Sequence, residues 1–207
     1  MFDIRNKINL AIITVHKGNF EELKRTINSI DSQVLKPKKH LIVCSGVKKI
    51  NTLKYKRKYR EFIINKDNSI YNAMNIGISK IDDCHILFLN SNDILYSKLS
   101  LFKISKFLKP NTALIAATKL HYANLIFTIK NKEFKKKRYM PHSSFVAPPI
   151  SKEKKIYFDT RYKIAADGIW MTNIVNISKK VIKLDKPLSI HNLITFFEIL
   201  TIFVIHM

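Results

Sequence analysis

The sequence predicts an α/β protein whose sheet is mostly parallel. Short apolar segments rich in β-branched residues recur along the first half, and segments with apolar residues at helical spacing separate them. Strands that alternate with helices in this way form βαβ units, with parallel strands and helices covering the sheet. After about residue 120 the pattern is less regular. At 207 residues the length suits one domain, which we expect to span residues 1–192.

The individual elements follow from apolar spacing and from local breakers. Asn19 suits the N-cap of the first helix, and Pro110 stops the third. The proline-flanked segment 141–149 is predicted to be a loop that contains His142. Strands are predicted at residues 8–15, 40–44, 61–64, 85–89 and 113–117, and residues 123–129 could form another; helices are predicted at residues 20–30, 70–81 and 101–108 and in the stretch up to about residue 177.

Composition indicates a folded and strongly basic protein. Hydrophobic residues make up 46% and charged residues 25%, which is typical of a globular chain and argues against disorder. Lys and Arg number 37 against 15 Asp and Glu, so the net charge is +22. Nucleic acid, phosphorylated small molecules and anionic membranes would all be attracted to this charge. Drift of the composition towards lysine is an equally open explanation.

Three features are lacking from the sequence, and each exclusion narrows the possible classes of function or location. Cys44 and Cys84 lie in or beside apolar runs without metal-ligand spacing, which suits a reducing compartment. With only 4 glycines there is no glycine-rich loop to hold a phosphate. The N-terminus lacks the long apolar core of a signal peptide, so we expect a cytoplasmic protein.

The most informative segment is residues 67–93, where a polar entry, an amphipathic helix and an apolar strand lead to the carboxylate of Asp93. Ligands bind at the carboxyl ends of strands in α/β sheets, because the loops there converge on a crevice. Mg²⁺ takes one or two carboxylates together with substrate phosphate oxygens. The segment therefore predicts a metal-assisted site for a phosphorylated substrate such as a nucleotide.

Two motifs in this segment resemble those of family-2 glycosyltransferases, which have the GT-A fold and occur in bacterial surface-polysaccharide and lipopolysaccharide biosynthesis. DNSIYNAMNIGI at residues 67–78 is similar to D-x-G-I-Y-D-A-M-N-x-G-I, and LNSND at residues 89–93 is similar to L-N-S-D-D. The resemblance covers roughly residues 8–190. It implies a nucleotide-sugar-binding half at residues 1–118 and an acceptor-side half at residues 119–192. It also implies inverting transfer of a sugar from a nucleotide-sugar donor to a glycan or lipid-linked acceptor, with Mg²⁺ or Mn²⁺ as cofactor.

The resemblance assigns roles to individual residues. Asp93 is expected to coordinate the metal on the donor diphosphate. Asp167, in the segment IAAD, is expected to be the catalytic base that deprotonates the acceptor hydroxyl. His142, in PHSSF, is expected near the acceptor, and His191 lies in a segment that faces acceptor or phosphate in some relatives. The residues expected to contact the donor are Thr14, Val15, Ser45, Asp67, Asn75, Asn90 and Asn92.

Structural interpretations of the same residues stay open. Asp67 and Ser69 both suit the N-cap of the second helix, and Asp167 suits that of the last one. Asn92 and Asp93 would also suit a plain turn before the next element. Tyr71 and Met74 are expected in the core rather than at a ligand.

The chain departs from the family pattern at two positions. Ser45 and Asn92 stand where the family commonly has acids. Asn92 offers a carbonyl oxygen but no charge, so we expect weaker metal binding. A catalytically degenerate relative that binds nucleotide is therefore one alternative, and a basic protein that binds nucleic acid or an anionic membrane surface is another.

Two segments bear on whether the protein contacts a membrane. Residues 130–138 (KNKEFKKKR) form a basic run, for which we expect a solvated loop or contact with an anionic membrane; nucleic acid is not expected, because no nucleic-acid-binding motif accompanies it. Residues 193–207 form an apolar helix in this interpretation, too short to span a bilayer. That helix would pack in the core or attach to the inner face of the cell membrane.

Overall fold

A computed structural model describes residues 7–45, 53–67, 69–122, 125–129 and 141–192. Within these residues nine strands form one sheet flanked by four helices, which confirms the predicted α/β class with a mostly parallel sheet. The strands are β1 (Lys7–His16), β2 (Lys36–Ser45), β3 (Arg60–Asn65), β4 (His85–Phe88), β5 (Ile94–Leu95), β6 (Thr112–Tyr122), β7 (Leu125–Ile129), β8 (Phe145–Ala147) and β9 (Lys180–Asn192); the helices are α1 (Phe20–Asp31), α2 (Ile70–Ser79), α3 (Ser100–Ser105) and α4 (Ala166–Ile177).

Six of the described strands point the same way. The order across the sheet is β3-β2-β1-β4-β8-β6-β9-β5, and β7 pairs with β6 beside this path. β1 is parallel to β2 and β4, and β2 is parallel to β3. β8 is antiparallel to both β4 and β6, so β6 and its parallel partner β9 run in the direction of β1. The carboxyl ends of β1, β2, β4, β6 and β9 therefore lie along one edge of the sheet.

The core fills both faces of the sheet, as the apolar strands require. On one face α2 and α4 pack on alternate strand residues such as Ile13 and Phe88. On the other face α3 packs on the intervening residues, such as Ile12 and Leu87. Successive strand side chains point to opposite faces, so uninterrupted apolar runs serve two cores at once.

The second half is more regular than the sequence suggested. The predicted loop at residues 141–149 contains a turn of 3₁₀-helix at His142–Ser144 and then β8, which joins β4 to β6. β9, with 13 residues, was not predicted at all. Its lysines and Pro187 interrupt the apolar pattern, and its pairing with β6 shifts register there. Tertiary pairing to β6 stabilises a strand that has weak local signals.

Helix starts agree in part with the predictions. The Asn19 side chain caps α1 by accepting a hydrogen bond from the Glu21 backbone N–H, as predicted. Ser69 rather than Asp67 caps α2, and its hydroxyl accepts from the Asn72 N–H. The basic run at 130–138 and the apolar segment at 193–207 lie outside the described residues. No described helix has the length and apolar character needed to cross a bilayer.

Candidate functional site

Polar side chains collect where the carboxyl ends of β1, β4 and β9 meet the start of α4. The chain leaves β4 through a tight turn from Asn90 to Asp93, closed by a hydrogen bond from the Asp93 N–H to the Asn90 carbonyl at 3.0 Å. Thr26 of α1 donates its hydroxyl to the Asp93 carbonyl at 2.8 Å. Asn92 has a φ of 77°, in the left-handed region that asparagine tolerates. Hydrogen bonds within the turn and from α1 therefore fix its conformation without a ligand.

Asp93, the acid of this turn, is buried and pairs with His191. Its side chain is 2% exposed, and its Oδ1 lies 2.7 Å from Nδ1 of His191 near the end of β9. Its Oδ2 is buried and has no hydrogen-bond partner among the described residues. A buried carboxylate oxygen without a partner is costly, so it indicates a position for a cation or a ligand donor.

A second acid–histidine pair lies beside the first. Nε2 of His142 accepts from the Asn90 side-chain amide at 3.0 Å, and Nδ1 of the same ring lies 3.2 Å from Oδ2 of Asp167. Since Nε2 accepts, Nδ1 carries the proton and donates it to the carboxylate. The rings of His142 and His191 are 6.1 Å apart, edge to face. The structure therefore brings four predicted residues, Asn90, Asp93, His142 and Asp167, into one cluster with His191.

Asp167 lies in the first turn of α4. Ala165, with a φ of 65°, is the N-cap residue and makes no side-chain capping bond, so the N-cap interpretation of Asp167 was wrong. The carboxylate is 4% exposed, and its Oδ1 accepts from the Gly168 N–H at 3.0 Å. The N-terminal end of a helix stabilises a negative charge, so this position favours the ionised form that a base requires.

Tyr71 of α2 lies close to this carboxylate. Its ring stacks on Phe158 at a centroid distance of 5.6 Å, which supports its predicted place in the core. Burial, reinforced by the charge of Asp167, raises the pKa of the Tyr71 hydroxyl to about 12. Tyr71 therefore stays protonated at neutral pH.

Thr14 and Val15 of β1, which were expected to contact the donor, support the cluster from the sheet and do not line a crevice. Thr14 is fully buried, donates its hydroxyl to the Leu89 carbonyl at 2.8 Å and contacts Nε2 of His40 at 3.0 Å. The backbone N–H of Val15 donates to Oδ1 of Asn90 at 3.4 Å. Both residues support the turn after β4, and neither offers a free side-chain polar group to a ligand.

Ser45 and Asp67 meet at the end of β2. The Ser45 hydroxyl donates to the Asp67 carbonyl, which ties β2 to the entry of α2. The Asp67 carboxylate accepts from the Ser69 N–H at 2.8 Å and from the Asn72 side-chain amide. Asp67 is exposed, so a ligand can reach it.

Asn75 and Asn92 lie outside the five-residue cluster. Both polar groups of the Asn75 amide bond to the backbone of Phe158, at 2.9 and 2.7 Å, so this side chain anchors a loop. Asn92 lines a separate cleft of about 550 Å³, bounded also by Arg25, His121 and Asn192. His191 and Asn192 are consecutive on β9 and point to opposite faces, so this cleft lies behind the Asp93 cluster.

His191 was only weakly indicated by the sequence. A histidine at the end of an unrecognised strand has no local signal that connects it with an acid 98 positions away. The pattern of the Asp93 turn could not reveal it either, because the contact depends on the antiparallel pairing of β5 with β9, which brings Asp93 next to His191.

The residues present fit a divalent cation that a substrate helps to bind. Among the described residues no group of three or more His, Cys, Asp or Glu side chains could hold a metal ion by itself. Asp93 and His191 would supply two ligands, and the unpartnered Oδ2 of Asp93 is the natural first one. Mg²⁺ and Mn²⁺ bind well to sites where phosphate oxygens and water complete the coordination.

Comparison with solved structures identifies the architecture. The chain superposes on S. aureus TarS 1-349 with a TM-score of 0.70 at 17% identity, covering 88% of this chain and 60% of that one. The complex of TarS 1-349 with UDP-GlcNAc gives a TM-score of 0.71 at 17% identity, covering 90% and 59%. The mannosyltransferase PcManGT from Pyrobaculum calidifontis, in complex with GDP-Man and Mn²⁺, gives 0.63 at 11% identity, covering 90% and 57%.

This chain has the GT-A glycosyltransferase fold. It spans about 60% of the length of the TarS chain it matches. No family model matches it, and no curated protein sequence does. In the GT-A fold of this chain, the five-residue cluster at the carboxyl edge is the candidate active site.

Proposed function

We propose that the protein is a glycosyltransferase that moves a sugar from a nucleotide-sugar donor to a glycan or lipid-linked acceptor. The observation that carries the proposal is the meeting of two acid–histidine pairs, Asp93–His191 and Asp167–His142, at the carboxyl edge of a GT-A fold. One acid has an unpartnered oxygen suited to a cation, and the other lies at a helix N-terminus. Metal-assisted inverting sugar transfer combines these two functions, a cation on the leaving diphosphate and a base for the acceptor hydroxyl.

The reaction is a single displacement with inversion. The oxygen of the acceptor hydroxyl forms a bond to the anomeric carbon while the bond from that carbon to the diphosphate breaks, and the nucleoside diphosphate leaves. Asp167 takes the hydroxyl proton, and the Nδ1–H of His142 holds its carboxylate in place. A positioned base of this kind contributes roughly 10²–10⁴-fold in rate.

A divalent cation, Mg²⁺ or Mn²⁺, would be held by Asp93 with the help of His191 beside it. When bound, it neutralises the charge that builds up on the departing diphosphate. Asn90 connects the two acid–histidine pairs, because its side-chain amide donates to His142 while its backbone carbonyl accepts from the Asp93 N–H. Asp67, exposed between β3 and α2, is a further side chain that the donor could reach.

The setting we propose is surface-polysaccharide or lipopolysaccharide biosynthesis on the cytoplasmic side of the cell membrane. The net charge of +22 supports an anionic acceptor or a peripheral position on an anionic membrane. Nucleic acid is not part of the proposal.

Thermal unfolding with nucleotide sugars tests the donor site. UDP- and GDP-sugars, each with and without Mn²⁺ or Mg²⁺, are compared for the native chain, for Asp93→Asn and for Asp185→Asn, an exposed acid of β9 that serves as control. A ligand at about 100 times its dissociation constant stabilises the folded state by roughly 2.7 kcal/mol, a shift of a few degrees for a chain of this size. We expect a metal-dependent shift with one donor class, lost in Asp93→Asn and kept in Asp185→Asn.

The other outcomes have distinct meanings. A shift that is independent of metal, without sugar transfer to any acceptor, would support the catalytically degenerate relative. A flat panel would contradict the donor site and leave the basic surface as the main functional feature.

A further inference from the structure

β7 presents apolar side chains to solvent on both of its faces. Leu125, Ile126 and Phe127 are 57%, 61% and 45% exposed. Leu125 and Phe127 point to one face of the strand and Ile126 to the other, because strand side chains alternate. A strand at the surface of a soluble protein is normally polar on at least one face. This one is apolar on both.

β7 is also an edge strand. Within the described residues it pairs with β6 alone, from Thr118 opposite Ile129 to Tyr122 opposite Leu125. An exposed apolar edge is an association site unless something covers it, and natural edges are usually protected by charges, proline or a bulge. None of these protections is present in the five residues of β7, which read LIFTI.

We propose that β7, the outer strand of the β6–β7 hairpin that it forms with residues 118–122 of β6, inserts into the interface of an anionic lipid bilayer. A strand that is apolar on both faces is covered completely when it enters a lipid layer, whereas a docked protein surface covers one face. Charge favours the same partner, because a second copy of this chain carries the same charge of +22 and is repelled. An anionic surface attracts it.

The charge next to the hairpin strengthens this assignment. Lys119 lies on β6 opposite Thr128, with its ammonium group 5.0 Å from the Tyr96 ring. The sequence that follows Ile129 directly contains six basic residues and one acid between positions 130 and 138. Apolar insertion and attraction to anionic headgroups are the two signals that together hold a peripheral protein on a membrane.

The hairpin lies close to the candidate active site. Leu120 of β6 is opposite Phe127 on one side and opposite His191 on the other. Directly opposed residues in a sheet point to the same face, so Phe127 and His191 share a face and lie two strands apart. Insertion of the hairpin would bring the cluster towards the lipid surface. The inference goes beyond the proposed function and does not depend on it, since lipid binding requires no donor.

Vesicle binding tests the proposal on the full chain. The native protein, Ile126→Ser/Phe127→Ser and Val34→Ser/Phe102→Ser are sedimented with phosphatidylcholine vesicles, with or without about one third phosphatidylglycerol. The last variant is the control, because Val34 and Phe102 lie outside the hairpin with 61% and 55% exposure. We expect binding to the anionic vesicles, at least about tenfold weaker in the hairpin variant and unchanged in the control.

Two further measurements separate other occupants of the hairpin. If the native chain does not bind anionic vesicles, or if both double variants bind like it, the proposal is overturned. The oligomeric state without lipid is measured in parallel, and a dimer that the hairpin substitutions dissociate would assign the surface to a second copy. A fall in the unfolding midpoint of the hairpin variant alone, with vesicle binding intact, would show that another part of the chain covers β7.

Discussion

At the scale of single residues, hydrogen bonds determine which ring nitrogen of two buried histidines carries a proton. His142 accepts at Nε2 from Asn90 and donates at Nδ1 to Asp167. His40 accepts at Nδ1 from the Arg60 guanidinium at 2.9 Å, so its Nε2 donates to Thr14. The hydrogen bonds of His142 orient the Asp167 carboxylate at the candidate active site. Those of His40 hold Thr14 in β1, the strand that supports the site.

The role of Asp167 leads to a kinetic prediction. In Asp167→Asn the amide oxygen can still accept from His142, while the amide nitrogen replaces the oxygen that accepts from the Gly168 N–H, so one hydrogen bond is lost together with the base. We expect kcat for sugar transfer to fall by roughly 10²–10⁴-fold, with donor binding unchanged. Product formation measures kcat, and thermal shifts with donor measure donor binding. Asp185→Asn serves as the control. Turnover close to that of the native chain would mean that another group is the base.

The buried His40 leads to a prediction about pH. Burial, together with the charge of Arg60, holds the pKa of His40 well below 6.5, and burial lowers the pKa of His16 and His85 too. Unfolded histidine binds a proton below about pH 6.5, whereas folded His40 does not and folded His16 and His85 bind one less readily. The free energy of unfolding therefore falls as pH drops from 7 to 5, by up to about 1.4 kcal/mol per pH unit for His40.

Substitution of His40 by glutamine isolates its share of this effect. The glutamine amide can accept from Arg60 and donate to Thr14, but it does not titrate. Urea denaturation at several pH values should give His40→Gln a shallower loss of stability between pH 7 and 5 than the native chain. Equal slopes for the two proteins would show that His40 is not the source.

At the scale of elements, the contact between α2 and β1 requires a residue without a side chain. A Cβ on Gly77 of α2 would lie 2.5 Å from Cγ2 of Ile13, a fully buried residue of β1. A Cβ on Gly168 of α4 would have no atom within 4 Å. The two helical glycines therefore differ in the space that a side chain would find beside them.

The pair of alanine substitutions makes this difference measurable. Gly168→Ala should stabilise the chain by about 0.5–1 kcal/mol, because alanine loses less backbone entropy in a helix. Gly77→Ala should destabilise it by about 1–3 kcal/mol, since the overpacking of Ile13 outweighs the same entropic gain. Chemical denaturation of both variants is the measurement. A stabilised Gly77→Ala would mean that α2 and β1 separate easily.

At the scale of the whole molecule, an aromatic cluster joins the two halves of the sheet. Trp170 of α4 stacks on Phe158 at 4.9 Å and meets Phe88 of β4 and Phe145 of β8 edge to face at 5.3 and 5.8 Å. Phe158 is itself anchored by Asn75 of α2. The first and second halves of the chain thus share one core around the single tryptophan of the sequence.

A shared core predicts one cooperative unfolding transition, as expected for the single domain proposed over residues 1–192. Trp170 fluorescence reports the junction of the halves, and far-ultraviolet circular dichroism reports all helices and strands. We expect the same denaturant midpoint from both signals. Two separated midpoints would mean that the halves unfold independently.

Local sequence patterns were enough to predict the alternation of strands and helices and the positions of Asn90 and Asp93 after β4. Apolar periodicity and the residue that follows a strand can both be read from consecutive positions. The pairing of Asp93 with His191, 98 positions away, and of Asp167 with His142, 25 positions away, became visible in the folded chain alone. The tertiary structure also decided that Asn75 holds the Phe158 loop and that β9 is a strand. The physical reason is the same in each case: these contacts depend on the order of strands in the sheet, which no stretch of neighbouring residues encodes.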